Sequence, residues 1–246
     1  MGIRLAATKF FAFIVAAIAP CGAAVVIQFD ASYNSPVTVD RTVNGGTNWF
    51  MQDPGQFRFI LQPGSPADVP LSFYTFCIEP REFLSPGQVV TYSLAPLEQG
   101  TTNIGGMGAA RANAVRELLG RYYPDFSIAV NVETGAAIQA ALWEIIRETA
   151  QTIGTYDLGT GDVQYRTWSD TGVRDLSQAM LSSLTGTGPM VNTTGVQALI
   201  LAGGTQDTLV QFSWGGYAGS VPEPTTTLTL GAGLLALGLL RRRKST

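Results

Sequence analysis

The chain has 246 residues, with 15 Lys+Arg against 18 Asp+Glu, no histidine and two cysteines. Without histidine there is no Ser-His-Asp triad, no Cys-His dyad and no imidazole ligand or pH switch, and two cysteines cannot build a Cys₄ zinc site. Charged residues are 13% of the chain, about half the usual share for a globular protein, which suits an exported surface protein better than a cytosolic enzyme.

Residues 1–24 have the parts of a secretory signal peptide. Arg4 and Lys9 form a positive start, Phe10 to Ile18 an apolar stretch, and Gly22 and Ala24 occupy the −3 and −1 positions of a cut before Val25. The apolar stretch is well short of the roughly 20 residues of a membrane span. Proline directly before Cys21 fits a lipidation signal poorly, so Ala24 is taken as the last residue of a cleaved leader.

Residues 25–220 form the body, long enough for one domain with a substantial core. This body holds 9 Arg, no Lys and 17 Asp+Glu, a net charge of −8. An acidic body argues against nucleic-acid binding, which needs a basic face for phosphates. The absence of lysine excludes Lys–Asn isopeptide crosslinks and Schiff-base chemistry. Apolar and β-branched content predicts strands at 25–29, 56–61, 71–78 and 89–93, separated by the turns Gln62-Pro-Gly-Ser-Pro66 and Ser85-Pro-Gly87. Helices follow at 109–122, 135–150 and 173–184, the first with Ala112, Val115, Leu118 and Leu119 at helical spacing and Pro124 after it. Strands return at 196–201 and 208–214, around the turn Gly203-Gly-Thr-Gln-Asp207. Strands, helices and strands again predict a single α+β domain: one antiparallel, sandwich-like sheet system with a helical insert.

Two residues of the body stand out chemically. Cys77, in Phe76-Cys77-Ile78-Glu79-Pro80, is its single cysteine and has no partner for an internal disulfide. Alternation places it on one face with Leu71, Phe73 and Thr75, which an ordinary buried thiol also satisfies. Gln139 shares a helix face with Ala136, Trp143 and Ile146, the one amide among apolar neighbours. A buried glutamine needs partners for both ends of its amide, and capping a strand carbonyl is the plain way to find them. Glu144 and Glu148, at i,i+4 with Arg147 between, read as a solvated helix face. The Asp157 to Asp162 stretch, around Leu158-Gly-Thr-Gly161, reads as a turn rather than a calcium loop. Neither a metal site nor a cofactor is expected.

Taken together, the aromatic-Cys-Ile-acidic segment and the later Gln139-x-Ala141-x-Trp143 resemble the thioester domain of bacterial surface adhesins. The resemblance implies that Cys77 supplies the sulfur and Gln139 the acyl group of an internal thioester, with Ala141 and Trp143 completing the motif. Threonine is usual there where this chain has Ile138. The implied role is adhesion or covalent attachment to surface amines or a polysaccharide matrix, not enzymatic turnover. The alternatives are an inert structural matrix protein with a buried free Cys77 and, from another class, a secreted glycan-active enzyme using carboxylates.

The C-terminal segment, residues 221–246, reads Val221-Pro222-Glu223-Pro224, then a Leu/Gly/Ala stretch to Leu240, then Arg241-Arg-Arg-Lys244. The basic cluster keeps its end cytoplasmic by the positive-inside rule, leaving the body outside the inner membrane. Motif, span and arginines in that order resemble the PEP-CTERM sorting signal, with Pro222, Glu223 and Pro224 as its recognition motif. The resemblance implies transient anchoring in the inner membrane, processing by an exosortase, and delivery to the cell surface or extracellular matrix.

Overall fold

Strand β1 (Ala24–Tyr33) alternates buried Val25, Ile27 and Phe29 with half-exposed Val26, Gln28 and Asp30, the period-two pattern of a strand with one face on a core. The computed structural model describes residues 24–33, 37–42, 48–66, 69–80, 84–123, 125–148, 153–188, 195–201 and 206–211, all within one unit, Gly22–Ala218. The expected signal peptide, residues 1–24, lies outside the described residues except for Ala24, which opens β1, and so do the expected strand end at 212–214 and the sorting segment. Among the described residues no helix is long and apolar enough to cross a membrane.

The remaining strands are β2 (Val39–Thr42), β3 (Phe50–Gln52), β4 (Gln56–Leu61), β5 (Ser72–Thr75), β6 (Val89–Pro96), β7 (Gln164–Trp168), β8 (Val196–Leu201) and β9 (Thr208–Gln211). The helices are α1 (Gly108–Tyr122), α2 (Val132–Arg147) and α3 (Thr171–Ser182). Six strands form an antiparallel sheet in the order β5-β4-β1-β6-β8-β9, and three form a second in the order β3-β2-β7. The predicted turns hold where glycine is needed: Gly64 and Gly87 take φ of 101° and 84°, which side-chain-bearing residues rarely adopt. Ser65 fixes the first turn, its hydroxyl bonding both the N–H and the carbonyl of Val26 at 2.8 Å.

The larger sheet closes on itself. Beyond β5 the chain continues to Cys77, which bridges Thr208 of β9, so the first and last strands meet. Val25, Ile27, Phe29, Phe59, Phe73, Tyr92, Leu199 and Val210 fill the space inside, with Phe59 and Phe73 rings 5.7 Å apart. A second core gathers the three helices, the second sheet and residues 76–78. At its centre α2 is buried on every side from Gly135 to Ile146, as expected of a helix apolar all round. Asn131 caps α2 by accepting from Thr134 N–H at 2.7 Å, and Asp170 caps α3 by accepting from Gly172 N–H at 2.8 Å.

The α+β class and the antiparallel pairing agree with the sequence. The expected one antiparallel sheet system is divided, among the described residues, into two sheets, and β7 interrupts the helical stretch. Its residues, with those of β2 and β3, are too short and too mixed in polarity to show period two. Leu71 also departs from its expected face. It is 82% exposed, while Phe73, Thr75 and Cys77 are buried, because the strand starts only at Ser72.

Candidate functional site

The two singled-out residues, 62 apart in sequence, meet. Cys77 N–H donates to Gln139 Oε1 at 2.9 Å, and Gln139 Nε2 donates to the Cys77 carbonyl at 2.8 Å. One carboxamide thus satisfies both backbone groups of one residue, as a neighbouring strand would. Cys77 is 0% and Gln139 1% exposed, so the pair is closed to solvent. Helix α2 makes this possible because small residues on both sides of Gln139, Ala136, Ala137, Ala140 and Ala141, let the helix approach the closing strand.

Around the sulfur the site is polar. Cys77 Sγ–H donates to the Glu79 carbonyl at 3.2 Å. Burial pushes the thiol up to about 11, while the Gln206 amide, the Glu79 backbone, the Trp143 indole and the Arg41 charge pull the other way. At neutral pH Cys77 is therefore a thiol, not a thiolate. Trp143 Nε1, Gln206 Oε1 and Thr208 Oγ1 are buried and meet no well-aligned partner among the described residues. Arg41, fully buried, lays its guanidinium 4.4 Å from the Trp143 ring centre and bonds the Pro80 carbonyl and Gln52 Oε1.

Two carboxylates brace the same corner. Glu79 accepts from Asn103 N–H at 3.0 Å and Asp207 N–H at 3.1 Å. Asp207 accepts from Leu201 N–H at 3.0 Å and Thr102 N–H at 3.1 Å, and burial raises its carboxyl above the ordinary value. Gln206 and Asp207, which the sequence places in the turn at 203–207, are both buried. Arg41 was not foreseen as part of the site. The sequence carries no period-two signal for it: Val37, Val39 and Arg41 are buried, but so is Thr42.

Among the described residues Trp143 is the largest fully buried side chain, and Ala141 and Ile138 beside it are fully buried too. The Glu144 and Glu148 pair is not a solvated face. Glu144 is 0% and Glu148 8% exposed, because the turn at 153–163 covers that end of α2. Glu144 Oε1 accepts from Asp157 N–H at 3.2 Å and Glu148 Oε2 from Asp162 N–H at 3.0 Å. Gly161, with φ of 85°, lies so close to Glu148 that a Cβ there would collide with its carboxylate. The Asp157 to Asp162 stretch is a turn, closed by Thr160 N–H on the Asp157 carbonyl at 3.1 Å. Among the described residues no group of three or more acidic, Cys or His side chains is placed to hold a metal.

Against known families, residues 220–244 match the PEP-CTERM protein-sorting motif. The chain carries a PEP-CTERM sorting signal. A signal of this kind implies an exported protein sorted by an exosortase, and its residues include Pro222, Glu223 and Pro224. No curated protein and no solved structure matches the chain.

Proposed function

We propose that this exported protein carries an internal thioester between Cys77 and Gln139 and uses it to attach covalently to a surface amine or a matrix polysaccharide, without turnover. The observation behind the reading is the double hydrogen bond that holds the Gln139 carboxamide on Cys77. The Cys77 thiol would add to the carboxamide carbon, the C–N bond would break, and the thiol proton would leave with the nitrogen as ammonia. Cys77 N–H already donates to Oε1, where negative charge develops as sulfur adds. Burial then keeps water from the acyl–sulfur bond, and a body without lysine has no ε-amine of its own to consume it.

The same geometry favours a second reading, an inert matrix protein. A core glutamine whose two polar ends are both met needs no further chemistry, and Ile138 offers no hydroxyl beside it. Nothing favours the glycan-active enzyme, since Glu144 and Glu148 are buried where a polysaccharide does not reach.

Intact mass separates the first two. The mature protein is expected about 17 Da below its sequence mass, with methylamine adding about 31 Da and freeing one thiol, and with Cys77→Ala or Gln139→Ala abolishing both changes. Full sequence mass, with Cys77 alkylated on unfolding and no need of methylamine, selects the inert reading.

The sorting signal gives its own prediction. Changing Pro222, Glu223 and Pro224 together to alanine is expected to leave the protein in the inner-membrane fraction with its tail uncut. Normal delivery of that variant to the cell surface would remove exosortase processing from the account.

A further inference from the structure

We propose that the seam between β9 and residues 76–78 is the gate of the Cys77 site: the sulfur is reached only when residues 206–209 lift away, the rest of the fold staying intact. The proposal concerns access to the site of the thioester reading and rests on that reading for its biological use.

Cys77 and Gln139 are buried, so any target must wait for an opening. On one side the pair is held by α2, which is buried from Gly135 to Ile146 and could not move without breaking the second core. On the other side lie Gln206, Asp207 and Thr208. Gln206 faces the sulfur, and Thr208 is its bridge partner.

This side has the shortest strand pairing in the larger sheet among the described residues. Elsewhere its strands are joined by ladders, with six residue pairs between β1 and β4 and five between β6 and β8. The seam is a single bridge with two backbone hydrogen bonds, Ile78 N–H to the Asp207 carbonyl at 3.0 Å and Leu209 N–H to the Phe76 carbonyl at 3.2 Å. Two side-chain bonds cross with them, from Thr75 Oγ1 to the Leu209 carbonyl and from Asp207 N–H to Glu79 Oε2 at 3.1 Å. Gln206 Oε1, Thr208 Oγ1 and Trp143 Nε1 are buried at or beside this seam without well-aligned partners, and each regains water when it opens. Short pairing with few hydrogen bonds is where local opening costs least.

Thr75→Val tests the gate, because it keeps the shape of the side chain and deletes the one hydroxyl bond across the seam. Tyr122→Phe is the control, removing a bond of the same kind from Tyr122 OH to Ser183 Oγ in the helical layer. Two readouts apply to the exported protein: hydrogen exchange at the Ile78 and Leu209 amides, and the rate at which methylamine, or a thiol-alkylating reagent where the thiol is free, reacts at Cys77. Thr75→Val is expected to speed both by about five-fold, the equilibrium effect of losing one hydrogen bond, with Tyr122→Phe leaving both as in the parent. Unchanged rates in Thr75→Val overturn the proposal. So do equal accelerations in the two variants, which would mean that Cys77 is reached by global unfolding. A protein at full sequence mass refutes the thioester alone, since exchange and alkylation still read the gate.

Discussion

Replacing Glu144 with glutamine is expected to stabilise the protein at alkaline pH and to flatten its stability between about pH 5 and pH 9. Burial pushes the Glu144 carboxyl up from its ordinary 4.5 to about 9. The Asp157 N–H bond opposes the rise, and Glu148, Asp157 and Asp162 add repulsion to it. The folded protein therefore keeps a proton on Glu144 through neutral pH, whereas the unfolded chain releases it near 4.5. The folded state holds more protons across that window, so stability is highest at its acid end and falls as pH rises. Above the folded value the loss is complete. Glutamine cannot ionise and still offers an oxygen to Asp157 N–H, so the variant gains on the order of 3 kcal/mol at pH 8. Denaturant melts from pH 5 to 9 provide the check, and parallel curves for parent and variant would show that burial of Glu144 has no such cost.

Trp143→Ala is expected to destabilise the fold by about 3–5 kcal/mol, the range for emptying a large aromatic from a core. Among the described residues Trp143 is the largest fully buried side chain, and its ring is the surface on which the Arg41 guanidinium rests at 4.4 Å. Alanine both opens a cavity and strips a buried cation of the face that helps hold it. Trp143→Phe keeps an aromatic face and loses only part of the ring and an N–H without a well-aligned acceptor, so its cost stays near 1–2 kcal/mol. Chemical denaturation of the two variants measures both. A cost below about 1 kcal/mol for alanine would mean that the second core does not depend on this contact.

Parts of this fold are legible residue by residue. Strands β4 and β8 fall at the predicted 56–61 and 196–201, and each helix within about one turn of its expected place. Apolar period and turn-forming Gly and Pro act within a few residues, so they leave their mark on the linear chain. The ends slip where a cap decides them: α2 starts at Val132 because Asn131 accepts the Thr134 amide, a bond that hydrophobic pattern does not register. Strands β2, β3 and β7 leave no periodic mark because their stability comes from pairing with one another. The partners Arg41 and Tyr165 lie more than a hundred residues apart in the chain.

For the site the division is sharper. The sequence determined that Cys77 has no disulfide partner in the body, that Gln139 sits alone among apolar neighbours, that histidine and lysine chemistry is excluded, and that a sorting signal ends the chain. These follow from composition and short motifs, which need no folding to be read. Tertiary structure decided that the Gln139 amide meets the Cys77 backbone, that Arg41, Gln206 and Asp207 are buried beside it, and that Glu144 is a core residue instead of a surface one. Burial and hydrogen-bond partners depend on which distant segments come to cover a side chain, and a carboxylate carries the same symbol whether it faces water or is sealed under a turn. The closing of the larger sheet at Cys77 and Thr208 is of this second kind: it joins strands from opposite ends of the body, and only the packed chain brings them together.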